Sequence, residues 1–158
     1  MQVQMWYPIN INSNLQNGIS ELARASRHRF ADARALLREA RWQGAMSIAR
    51  YAVECLLKTK LMHIYRCRTL GDLEDELQRR SILPTHGTVF THQLEVLLRL
   101  APGWNRLMQN REMRRLFSNK VNKWTPTWRY TSMQATREEA TEFIDSVDTV
   151  MRWVDNNI

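Results

Sequence analysis

The chain has 158 residues, 44% of them apolar and 25% charged, with a net charge of +7. Such a length and balance fit one soluble domain with a substantial core. No run approaches the ~18 apolar residues of a membrane span, and no secretory leader is visible at Met1. A cytoplasmic location and no membrane association are therefore expected. Cys55 and Cys67 fall twelve residues apart on one predicted helix, about 18 Å, too far to bridge. No clustered Cys/His set, HxxxH pair, Gly-rich phosphate loop, Ser-His-Asp set or dinucleotide fingerprint occurs, so neither metal nor cofactor is expected.

In chain order, residues 1–17 read as an extended arm. Val3, Met5, Tyr7, Ile9 and Ile11 alternate, Pro8 argues against a central strand, and no partner strand lies nearby. A first helix is predicted from a capping Ser20 to about Ala40, with Leu22, Ser26, Phe30, Ala33, Leu37 and Ala40 on its buried face. Trp42, Gln43 and Gly44 then turn the chain, and so short a connection makes the flanking helices antiparallel neighbours.

Residues 44–67, GAMSIARYAVECLLKTKLMHIYRC, form the central element. Apolar residues fall on nearly every side, which marks a helix packed by neighbours on several faces. One stripe differs: Arg50, Glu54 and Lys58 stand four apart and stack on a single face. Among such apolar flanks these charges must be paired or bound, because desolvating them alone costs several kcal/mol. Two readings stay open, an internal salt bridge that sets helix register and a cleft facing a phosphate or nucleotide.

A short helix is predicted over residues 70–80, with Asp72 near its start and Leu73 and Leu77 inward, followed by a loop over 81–91 containing Pro84 and Gly87. Thr91 caps a predicted helix over 92–101, which places His92 in its first turn beside the anion-favouring N-terminus. Pro102-Gly103 breaks it. A further helix is predicted over 104–121, with Leu107, Met108, Leu116 and Phe117 inside. The basic, aromatic KWTPTWRY segment (123–130) either stacks on bases while Lys123 and Arg129 meet phosphates, or plugs one end of the bundle with Trp124, Trp128 and Tyr130. Thr136 and Glu139 form a capping box for the last helix, whose apolar face runs from Ala140 to Val154.

Charge is unevenly spread. Arg99, Arg106, Arg111, Arg114, Arg115, Lys120, Lys123 and Arg129 are opposed within their segment by Glu112 alone, and six arginines between 24 and 41 face only Asp32 and Glu39. From Glu138 onward six acids face Arg152 alone. This asymmetry fits an anionic partner for the basic side, head-to-tail contact between copies, or a solvated arginine-rich face.

The stretch YAVECLLKTK (51–60) resembles the YAxExxLKA signature of the second helix in HEPN domains. ARALLREARWQGAMSIAR (33–50) is similar to the end of their first helix and its turn, THQLEVLL (91–98) to their histidine-leucine segment, and PTWRY (126–130) to their W-x-RY element. The spacing of Ala140, Phe143, Val147, Val150, Trp153 and Val154 is similar to that of their last helix, so the resemblance covers residues 18–156. It implies an all-α, antiparallel up-and-down bundle of four to five helices over 18–158, commonly a homodimer, preceded here by the 1–17 arm. It also implies work in RNA cleavage, toxin–antitoxin pairs or phage defence, with RNA, a nucleotide, or an effector such as a nucleotidyltransferase as partner.

Ribonuclease members carry an R-x(4–6)-H motif late in the fold, and here no histidine follows His92. Arg79 or Arg80 with His86 fits the spacing, but 19 arginines make chance matches expected, and this one lies in a loop. The resemblance therefore implies a binding module without its own nuclease activity. His92 and Arg129 are the alternative ribonuclease pair, and a purely structural interaction bundle is the third reading. The expected binding or buried polar cluster is Arg50, Glu54, Lys58, His92, Arg129 and Tyr130. The expected basic surface is Arg106, Arg111, Arg114, Arg115, Lys120 and Lys123.

Overall fold

A computed structural model describes residues 18–123, 130 and 134–158. The expected arm and Trp124, Trp128 and Arg129 lie outside the described residues. The fold is helical: α1 (Ile19–Arg38), α2 (Trp42–Ile64), α3 (Leu70–Arg79), α4 (Leu94–Arg99), α5 (Trp104–Gln109), α6 (Arg111–Leu116) with a π-helical turn over Phe117–Val121, and α7 (Arg137–Asn157). The described residues thus hold seven α-helices rather than four to five, three of them long. Their only β pairing is an isolated bridge between Gly18 and Thr69. No helix among them is long and apolar enough to cross a membrane.

α2 is the axis, as its all-round apolar pattern predicts. It lies against α1 and also touches α7, α4 and α3. Ala33 on α1 and Ala45, Ala49 and Ala52 on α2 are fully buried, and these small side chains let the two backbones approach closely. The Ser26 hydroxyl donates to the Ala52 carbonyl at 2.9 Å, which satisfies a buried hydroxyl. α7 adds Phe143, Ile144, Val147, Val150 and Val154 to the same core.

Three helix ends explain why the observed boundaries differ from the predicted ones. At the end of α1, Arg41 N–H donates to Leu36 C=O and Ala40 N–H to Leu37 C=O, with Ala40 at φ 57°. This is a Schellman closure with alanine in the left-handed position that glycine usually holds. Arg66 and Ser81 occupy the same position after α2 and α3, at φ 56° each, with matching bonds from Cys67 to Met62 and from Ile82 to Leu77. No glycine therefore announces these stops. Cys67 falls beyond α2, Ala40 is exposed, and Trp42 to Gly44 open α2 instead of forming the turn. Ser20 is likewise inside α1, whose N-cap is Gly18.

The helix predicted over 104–121 is broken. Asn110 interrupts it and its side chain accepts from Met113 N–H at 3.0 Å, capping α6. The capping boxes at α3 and α7 are complete, Thr69 with Asp72 and Thr136 with Glu139. Thr136→Ala is expected to cost about 1 kcal/mol and to lower Tm by roughly 2–4 °C. An unchanged melting curve would show that α7 starts without its cap.

Candidate functional site

The charged stripe of α2 is buried. Arg50, Glu54 and Lys58 are 6%, 3% and 6% exposed. Helical spacing places Lys58 one turn beyond Glu54, and its Nζ donates to Glu54 Oε1 at 2.8 Å. His92 completes the group from a distant part of the chain. Its Nδ1 lies 3.1 and 3.0 Å from Glu54 Oε1 and Oε2, and Arg50 Nη2 donates to the His92 carbonyl at 2.6 Å. One face of α2 thus holds both the ring and the backbone of His92.

The segment that carries His92 is held from below as well. Glu74 on α3 accepts from the Thr88 hydroxyl at 2.9 Å and from Val89 N–H at 2.7 Å. Val89 is fully buried. Gly87 N–H donates to Pro84 C=O at 2.8 Å, and a Cβ at Gly87 would stand 2.8 Å from the Pro84 ring and 2.9 Å from its carbonyl oxygen. Only glycine fits that turn. His92 precedes α4 rather than lying in its first turn, because the N-cap is Gln93 and Thr91 Oγ1 accepts from Gln93 N–H. His92 thus stands one residue before the N-cap, outside the first turn where it was expected, and its ring meets the buried Glu54 carboxylate.

A carboxylate only accepts hydrogen bonds, so the Glu54 contact places the proton of neutral His92 on Nδ1. Nε2 is then the basic atom, on a side chain that is 61% exposed. Burial, and then the Glu54 charge, push the Cys55 thiol up to about 11. It is protonated at neutral pH and is no nucleophile. The Cys55 sulfur, followed by burial, raises the Tyr51 hydroxyl above its ordinary value. Tyr51 is 42% exposed beside this cluster.

Arg50, Glu54, Lys58 and His92 are thus brought together. Arg129 lies outside the described residues, and Tyr130, at 86% exposed, neither joins the cluster nor plugs the bundle. The spacing match at Arg79, Arg80 and His86 is separate from it. Hydrogen bonds from Arg79 and Arg80 hold the Glu76 carboxyl down to about 2, while His86 is exposed at φ 62°. Sequence reasoning missed Glu74, which no motif marks.

On the basic side, Arg106, Arg111, Arg114, Arg115 and Lys123 are exposed and Lys120 is half-buried. Lys120 pairs with Glu142 at 2.6 Å, and Arg106 donates to the Asn157 carbonyl at 3.1 Å. Arg111, Arg114, Arg115 and Lys123 make no ion pair among the described residues. Three of the six acids of α7, Glu142, Asp148 and Asp155, are in ion pairs within the chain. Asp148 meets Arg34 at 3.4 Å and Arg152 at 2.7 Å, and Asp155 meets Lys60 at 2.9 Å.

No family model matches the chain, and comparisons with curated proteins and with solved structures find no match either.

Proposed function

We propose that the chain is a HEPN-like module, an antiparallel up-and-down bundle acting as a cytoplasmic homodimer. It binds RNA or a nucleotide through phosphates, or partners an effector in prokaryotic defence or a toxin–antitoxin pair, without nuclease activity of its own. One observation carries this reading. The acids of α7 at 142, 148 and 155 are engaged in intramolecular ion pairs, whereas Arg111, Arg114, Arg115 and Lys123 have no acidic partner among the described residues. A surplus of exposed cations attracts a polyanion. The same pairing leaves α7 fewer free acids for the interaction-bundle reading, in which that acidic helix docks on the basic face of another chain.

The test is RNA affinity against salt. Each phosphate contact to a single strand contributes about 0.7 to the slope of log K on log salt. The triple variant Arg111→Ala/Arg114→Ala/Arg115→Ala is expected to reduce that slope by roughly 2. Binding that ignores salt, or a triple variant with the wild-type slope, sinks the phosphate-binding reading.

A second reading rests on the Glu54–His92 contact at 3.0 Å. A histidine oriented through Nδ1 presents Nε2 as a general base toward a ribose 2′-hydroxyl, the chemistry of a metal-independent ribonuclease. On this reading, cleavage persists in chelator and falls about 100-fold or more in His92→Ala. Intact RNA after prolonged incubation with wild type removes it and leaves the binding module.

A further inference from the structure

α1, α2 and α7 enclose a cleft of about 400 Å³ that neither the His92 cluster nor the basic surface uses. Each helix lines it with positions i, i+3, i+4 and i+7, one continuous stripe per helix. Phe30, Leu56 and Met151 are half-buried there, so their apolar surface stays partly uncovered. The hydroxyls of the lining are already satisfied: Ser26 donates to the Ala52 carbonyl at 2.9 Å and Thr59 to the Cys55 carbonyl at 2.8 Å. The floor is therefore apolar in effect, and selectivity lies at the rim.

At the rim, Asp155 is held by Lys60 at 2.9 Å and Asp148 by Arg152 at 2.7 Å, with Arg34 at 3.4 Å as well. Neither acid is left uncompensated to repel an anion. The other two ionisable residues of the lining, Arg27 from α1 and His63 from α2, are exposed and make no side-chain hydrogen bond or ion pair among the described residues. We infer that this cleft is a binding site for a small amphipathic anion. Its aryl or alkyl body lies on Phe30, Leu56 and Met151, and its carboxylate, sulfonate or phosphate group meets Arg27. The volume lies in the range of small-molecule sites, which are mostly apolar with a few placed polar groups. This inference is independent of RNA binding, because it uses a different face and different residues.

The test is an amide NMR titration of the full chain with 1-anilinonaphthalene-8-sulfonate, with uncharged N-phenyl-1-naphthylamine as the control. The expected result is saturable shifts centred on Ala23, Arg27, Leu56, Lys60 and Met151. Arg27→Gln is expected to weaken the sulfonate roughly five- to tenfold, as loss of a charge-assisted contact does, and to leave the neutral probe unchanged. Met151→Glu, which sets an anion into the floor, is expected to weaken both, with native melting confirming that each variant is folded. Shifts that do not saturate, shifts centred elsewhere, or an Arg27→Gln variant that binds the sulfonate like wild type would overturn the site.

Discussion

Replacing Glu54 with alanine is expected to destabilise the protein by about 3–5 kcal/mol, the cost of leaving a buried charge without its partner. The Lys58 and Glu54 side chains are 8% and 4% exposed and 2.8 Å apart, so water cannot take over the ammonium when the carboxylate goes. His92 loses its contact in the same step. Urea unfolding gives the measurement, as a fall in midpoint at unchanged slope. Glu54→Leu combined with Lys58→Met is the informative partner variant. Removing both charges and filling the space with apolar atoms is often neutral or stabilising, so the double variant is expected to recover most of the loss. A Glu54→Ala cost within about 0.5 kcal/mol, the range of ordinary surface changes, would show that the stripe is hydrated in solution.

Phe117→Ala is expected to cost about 3–5 kcal/mol, as lost burial plus the cavity left behind. Phe117 is 2% exposed and opens the π-helical turn that packs on α7. Asn122 N–H closes that turn on the Phe117 carbonyl at 2.7 Å. The ring anchors the segment that carries the basic surface, so if that surface binds RNA as proposed, affinity is expected to fall with stability even though Phe117 carries no charge. Phe117→Leu, a swap that keeps most of the apolar volume, is expected to lose under about 1.5 kcal/mol. A loss below 1 kcal/mol in the alanine variant would mean that neighbouring side chains collapse into the space.

Local signals in the sequence were reliable where one helix carries its own chemistry. α7 is the clearest example, because a capping box and an apolar stripe act within a few residues and need no distant partner. α3 behaves the same way through Leu73 and Leu77. Boundaries were less legible where the stop is unusual: Ala40, Arg66 and Ser81 take left-handed backbone at helix ends without being glycine. The break between α5 and α6 was hidden because Leu107, Met113 and Phe117 keep helical spacing across it, while Asn110 redirects the backbone through its own side chain.

The stripe on α2 shows the same division at the candidate site. Spacing alone put Arg50, Glu54 and Lys58 on one helical face, and the apolar flanks implied that this face is covered. His92 was expected in the cluster, but nothing local to residues 81–93 indicated how it would reach the stripe. That contact spans 38 residues and depends on Glu74 tethering Val89, on the tight turn at Gly87, and on Arg50 holding the His92 carbonyl.

The sequence by itself therefore determined the helical class, the central position of α2 and the charged stripe. Period, composition and capping are properties of neighbouring residues. Only the tertiary structure decided that the stripe is a closed polar cluster with one exposed histidine, and that Glu142, Asp148 and Asp155 of α7 pair with basic residues of the same chain. Burial and pairing depend on which surfaces meet, and those surfaces come from residues far apart in the chain.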